Sequence, residues 1–186
     1  METMYQKLLG ARFDILPEPI RAMHFGVRRA TGRADIKRGT SLLAQLICRI
    51  ARVPQSGEGV VVETAFTPID NGERWTRSFN GEEFHTELRI ANRGAEPELT
   101  ESFGLLRFRL RMAVHEDGVD LIPEGVSMFG IGLPRFLCPE AVGLERVRDG
   151  KYRFDVSVCA PLAGELVSYS GWLVPVVESE QYITEA

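Results

Sequence analysis

The sequence predicts an α+β domain: a curved, mainly antiparallel β-sheet, a partial barrel of about seven to nine strands, with two or three N-terminal helices packed on it. Three observations lead there. Helical apolar spacing is confined to the region before Pro54. Period-two alternation fills the chain from Gly59 to Pro175. Between the alternating runs stand Asn71-Gly72, Asn80-Gly81, Asp117-Gly118 and Asp149-Gly150, strong hairpin signals because both central positions of a tight two-residue turn need positive φ. At 186 residues the chain suffices for one sizeable core and is short for two. A single domain over 1–186 is therefore expected, with a helical part at 1–53, the sheet at 59–175 and an acidic tail at 176–186.

Each element has a local reason. "PEPIRAMHF" opens with prolines, which a first helical turn tolerates, and spaces Ile20, Met23 and His24 helically. "GRADIKRG" alternates only briefly and reads as an edge strand or connector. Ser41 caps a helix whose Leu42, Leu43, Leu46, Ile47 and Ile50 form one apolar stripe, expected to face the core, and the helix stops before Pro54. Strands are expected at 59–69, 74–79, 82–91, 98–103, 105–116, 119–129, 141–148, 151–160 and 165–175. "PQSGEG" and "NRGAEPE" read as loops. "GIGLPRFLCP" (130–139) reads as a packed connection between strands, with a pocket rim or an apolar surface patch as the alternatives.

Composition narrows the function classes. A net charge of −4 argues against nucleic acid, whose binders carry a basic face. Only Lys7, Lys37 and Lys151 are lysines among 22 basic residues. Arginine is the better bidentate partner for anions, although genomic codon bias is the first explanation of its abundance. Cys48, Cys138 and Cys159 are far apart and lack C-x-x-C spacing, which argues against a disulfide framework or zinc site and for a reducing cytoplasm. No signal peptide is evident, and "SLLAQLICRIARV" is too short and too interrupted by Arg49 and Arg52 to span a bilayer. A cytoplasmic protein without membrane association is expected. His24, His85 and His115 show no metal spacing, and phosphate-loop, dinucleotide-binding and nucleophile-elbow motifs are missing, so no metal, cofactor or catalytic residue is assigned.

Alternation also assigns faces, and three charges fall on apolar ones. Val60, Val62, Phe66, Trp75, Phe79, Phe84, Leu88 and Ile90 share a face with Arg77 in its middle. Glu101 lies with Leu99 and Phe103; Glu145 lies opposite Phe154, beside Val147 and Tyr152. A lone buried charge costs several kcal/mol, so these groups are expected either in an ion-pair network or around a ligand pocket. The pocket would be lined by Phe66, Trp75, Phe84, Phe154 and Tyr169, with Arg77 placed for an anion. The expected function is non-catalytic binding of a small, largely apolar or anionic ligand. The rivals are an enzyme using Glu101 or Glu145 as general base, and a structural or oligomerisation module.

Five stretches, "YQKLLGARFDILP", "GERWTRSFNGEEF", "ESFGLLRFRL", "GIGLPRFLCP" and "RFDVSVCAPLAGELVSYSGWL", resemble a bacterial family known as the domain of unknown function DUF4166. Members resemble free-standing domains or C-terminal attachments to dehydrogenase- or epimerase-like proteins. The resemblance implies an accessory or small-molecule-binding role, with association with an oxidoreductase as the implied partnership, and it brings no catalytic residues; a homodimer is the assembly expected of the oligomerisation reading.

Overall fold

The computed structural model describes residues 2–92 and 97–176; residues 177–186 of the expected acidic tail and the centre of the "NRGAEPE" loop lie outside them. Helix α1 (Met4–Leu9) is started by a capping box in which Thr3 and Gln6 exchange hydrogen bonds, and a 3₁₀ turn (Gly10–Ile15) leads to α2 (Glu18–His24). Strand β1 (Arg29–Arg38) follows, then α3 (Leu42–Ile50). The remaining strands are β2 (Gly57–Ile69), β3 (Gly72–Phe79), β4 (Glu82–Asn92), β5 (Pro97–Phe103), β6 (Leu106–His115), β7 (Gly118–Met128), β8 (Ile131–Gly132), β9 (Glu140–Arg148), β10 (Lys151–Ala160) and β11 (Gly164–Pro175).

The sheet is a closed barrel of ten antiparallel strands, not a partial one of seven to nine. Each strand pairs with the next from β1 to β7, β7 pairs with β9, and β11 pairs with β1; β8 is a two-residue appendage on β7. Closure depends on the segment read as an edge or connector. It is β1, paired on both sides, with Thr31 opposite Glu63 of β2 and Val174 of β11. Its inward positions are Ala30, Gly32, Ala34 and Ile36, so the alternation is real but written mostly in small residues. Such residues give little hydropathy contrast.

Of the four X-Gly signals, Asn80-Gly81 and Asp149-Gly150 occupy turn centres with positive φ at both residues. In the other two, Asp70-Asn71 and Glu116-Asp117 make the turn and the glycine opens the next strand. There a Cβ on Gly72 or Gly118 would run into the carbonyl of Leu88 or Glu145. The slip pairs Phe66 with Trp75 and Thr64 with Arg77, two residues from the expected register. A two-residue displacement preserves parity, so the assigned faces stand.

The two barrel ends differ. At the end bearing the β2–β3 turn, α1, the 3₁₀ turn and α2 form a plug whose Tyr5, Leu9, Phe13, Leu16, Ile20 and Met23 are buried in the main core. Helix α3 stands at the other end and contradicts its expected orientation. Ala44 and Cys48 are its buried residues, whereas Leu42 is 86% and Ile50 75% exposed. Polar clamps and small side chains set this orientation. Ser41 Oγ accepts from the Ala44 N–H (3.1 Å) and donates to the Ala163 carbonyl (2.7 Å), Cys48 Sγ donates to the Leu166 carbonyl (3.2 Å), and Ala44 packs against Ala163. "GIGLPRFLCP" is a packed connection only in part: Leu133 and Cys138 pack against the main core, while β8 and a 3₁₀ turn (Arg135–Leu137) leave Ile131 and Phe136 exposed.

The β1–β11 seam admits no Cβ at Gly32, where the Trp172 carbonyl stands in the way. Gly32→Ala is expected to lower stability by about 1–3 kcal/mol in urea unfolding. Gly132→Ala, with open space around it, is expected to leave stability nearly unchanged.

Candidate functional site

A ten-strand barrel is wider than side chains alone fill, since eight strands already leave room for little more than their own inward residues or one small ligand. Two adjoining chambers occupy the interior. The larger, about 320 Å³, runs from α3 and its exit segment (Ile47, Val53) past Phe84, Phe103 and Phe108 to Trp75, Arg77 and Tyr169. The smaller, about 60 Å³, is lined by Thr64, Phe66, Phe154, Glu145, Tyr152 and again Trp75, Arg77 and Tyr169. Arg77 lines both. The larger volume lies at the low end of the roughly 300–1,000 Å³ usual for small-molecule pockets.

All eight candidate residues, Phe66, Trp75, Arg77, Phe84, Glu101, Glu145, Phe154 and Tyr169, line one or both chambers. They do not form one ion-pair network. Half-buried Arg77 has its guanidinium carbon 4.9 Å from the Trp75 ring centre and 5.7 Å from that of Phe84. Its side chain makes one hydrogen bond among the described residues, from Nη1 to Thr86 Oγ1 (3.2 Å), and no ion pair. Across the β2–β3 pair, Thr64 is 4% exposed and its hydroxyl has no hydrogen-bond partner among the described residues. Glu101, half-buried on β5, faces the larger chamber.

Glu145 is different. It is 3% exposed, and both oxygens are engaged: Oε1 accepts from the Tyr5 hydroxyl (3.0 Å) and Oε2 lies 2.8 Å from His24 Nε2. His24 stacks on Tyr5 at 3.6 Å between ring centres and lies nearly parallel to Trp75 at 5.8 Å. Burial alone would push the Glu145 carboxyl up. The His24 charge and hydrogen bonds from His24 and Tyr5, with the Tyr152 hydroxyl nearby, outweigh it and hold the group below the ordinary carboxylate range. Burial and the Glu145 charge push the hydroxyls of Tyr5 and Tyr152 well above the ordinary phenol value, so both stay protonated donors. Burial also raises Tyr169, with Arg77 acting against it and Glu101 with it.

The sequence reading missed Tyr5 and His24 as partners of Glu145. They come from the plug, 140 and 121 residues away along the chain, and no local pattern encodes that meeting. Tyr152 was legible in part, because the Asp149-Gly150 hairpin sets it on the Glu145 face.

A family model, the Domain of unknown function (DUF4166), matches residues 16–173, most of the chain. The chain belongs to this family. The DUF4166 match takes in Arg77, Glu101, His24, Glu145 and Tyr152 and leaves Tyr5 outside. No curated protein matches. Among solved structures, the "Crystal Structure of Rv2717c from M. tuberculosis" is similar over 87% of this chain and 99% of that chain, at 13% identity and a TM-score of 0.46.

Glu145 ties the plug to the barrel wall, and its loss is expected to strand buried partners. Glu145→Gln should cost about 3 kcal/mol at neutral pH. A carboxyl whose folded pKa lies below its unfolded value contributes stability above about pH 4.3, and that contribution is lost as pH falls through the folded value. Urea midpoints measured between about pH 6 and 3 should therefore fall less steeply for Glu145→Gln than for the wild type.

Proposed function

We propose that this barrel binds one small, largely apolar ligand carrying an anionic group, without transforming it. Arg77 carries the reading: a guanidinium inside the barrel, resting on Trp75 and Phe84, with no carboxylate at ion-pair distance among the described residues. Aromatic faces compensate part of the lost hydration at about 0.5–2 kcal/mol each, but they accept none of the N–H donors. An anion about 4 Å away in a medium of effective dielectric 20 gains about 4 kcal/mol, so a ligand headgroup there is strongly selected. The Thr64 hydroxyl opposite supplies a further polar contact, and the aromatic and aliphatic wall of the larger chamber accommodates the apolar part.

Native mass spectrometry of protein purified gently from its host is the test, with the denatured mass as reference. The expected result is a bound small molecule that is lost from Arg77→Met, whose side chain keeps the volume and removes the charge. Affinity for that molecule, once extracted, should fall roughly tenfold or more, as expected when a charged hydrogen-bond partner is removed. A clean apo mass in the wild type, or a ligand retained undiminished by Arg77→Met, overturns the proposal.

A further inference from the structure

Exposed apolar side chains concentrate at one end of the barrel. Leu42 and Ile50 on α3, Phe129 and Ile131 at the β7–β8 turn, Phe136 on the following 3₁₀ turn and Leu162 in the β10–β11 turn are all strongly exposed, Leu162 by 94%. In the strand ring these positions follow one another from the end of β7 through β9, β10 and β11 to the β1–β2 connection. They form an arc around the mouth to which the larger chamber runs, since Ile47, Val53 and Pro139 line that chamber. Monomers seldom display apolar side chains in this density unless the patch is used.

Charge identifies what the arc meets. From Ile36 to Gly57 the chain carries Lys37, Arg38, Arg49 and Arg52 and no acidic residue; Ser127–Cys138 carries Arg135 and none. The segments that carry most of the exposed apolar residues, 39–57 and 127–138, thus hold Arg49, Arg52 and Arg135 and no carboxylate, in a protein of net charge −4. The exposed carboxylates within the arc, Glu58, Glu140 and Glu165, stand on the first two residues of β2, β9 and β11, and the pair Glu82 and Glu83 lies at the β3–β4 turn, where the arc is broken.

We propose that this end of the barrel docks on an anionic phospholipid surface. Leu42, Ile50, Phe129, Ile131, Phe136 and Leu162 enter the headgroup layer, and Arg49, Arg52 and Arg135 meet the phosphates. Docking is peripheral: no helix among the described residues is long and apolar enough to cross a membrane. That the chamber loads its ligand from the bilayer rests on the binding function proposed above; docking itself does not.

Flotation of the full chain with vesicles of phosphatidylglycerol and phosphatidylcholine, against vesicles of phosphatidylcholine alone, tests this. The wild type is expected to float with the anionic vesicles and to be released by salt. The double variants Leu42→Ser/Ile50→Ser and Phe136→Ser/Ile131→Ser should each lose partitioning roughly tenfold or more, as apolar side chains stop being buried. Arg49→Gln/Arg52→Gln should lose roughly fivefold per arginine on the anionic vesicles only. All these positions are exposed, and unchanged urea midpoints will show that the variants fold. Arg77→Met should float like the wild type, which separates docking from ligand binding. Absence of flotation, flotation unchanged in the rim variants, or a concentration-dependent dimer that Leu42→Ser/Ile50→Ser dissolves without any vesicle binding overturns the proposal.

Discussion

Everything in this molecule depends on β1 pairing with β2 on one side and β11 on the other. That pairing satisfies the last two rows of backbone donors and acceptors and turns an open meander into a ring without edges. It also creates an inside. An open sheet of this length would need a layer over its apolar face, and the three short helices could not supply one. Closed on itself, the sheet buries its own face, and the helices are released to work at the ends. The seam is made with small residues: Gly32 and Gly171 sit where a Cβ would strike the opposite backbone, and Ala30 and Ala34 keep the inward side low.

The ends then divide the work. At the plug, Glu145 gathers Tyr5 from α1 and His24 from α2 onto β9, with Tyr152 of β10 alongside, so one buried carboxylate fixes two helices against two strands. Satisfying the anion with a side chain from each helix makes its burial tolerable and gives the plug a defined seat, where apolar packing alone would allow sliding. At the mouth the attachment is of a different kind. Ser41, Cys48 and Ala44 fasten α3 by its small and polar side, and the bulky apolar stripe, Ile47 apart, remains outside.

How much of this was legible follows from which rules are local. Parity is local: two hairpins placed Arg77 among aromatic residues, and a register slip of two residues at Asn71-Gly72 could not move it to the other face. The strand count was nearly legible for the same reason. Closure was not, because β1 writes its inward positions as Ala, Gly and Ala, and hydropathy alternation measures size as much as side. The orientation of α3 failed for the opposite reason. Its large residues do form a stripe, but amphipathicity says only that one face differs from the other. Whether that face meets the core depends on what surface is on offer, and the β10–β11 turn offered contacts suited to Ala44 and Cys48. The seat of Glu145 was out of reach altogether, since its partners come from the far end of the chain.

Arg77 is where these strands of argument meet. Strand pairing forces its side chain inward, where it rests on Trp75 and Phe84, and the width of ten strands leaves it lining both chambers. The buried carboxylate that shares its chamber, Glu145, is already occupied by the plug, so fold stability and charge compensation do not draw on the same group. Were Glu145 free to pair with Arg77, the interior would hold a closed structural ion pair, and the chambers would have no reason to attract a ligand. Because His24, Tyr5 and Tyr152 hold Glu145 at the plug, the guanidinium at the junction of the two chambers keeps donors to offer. The mechanical requirement of seating two helices is thus what keeps Glu145 from neutralising the positive charge inside the barrel.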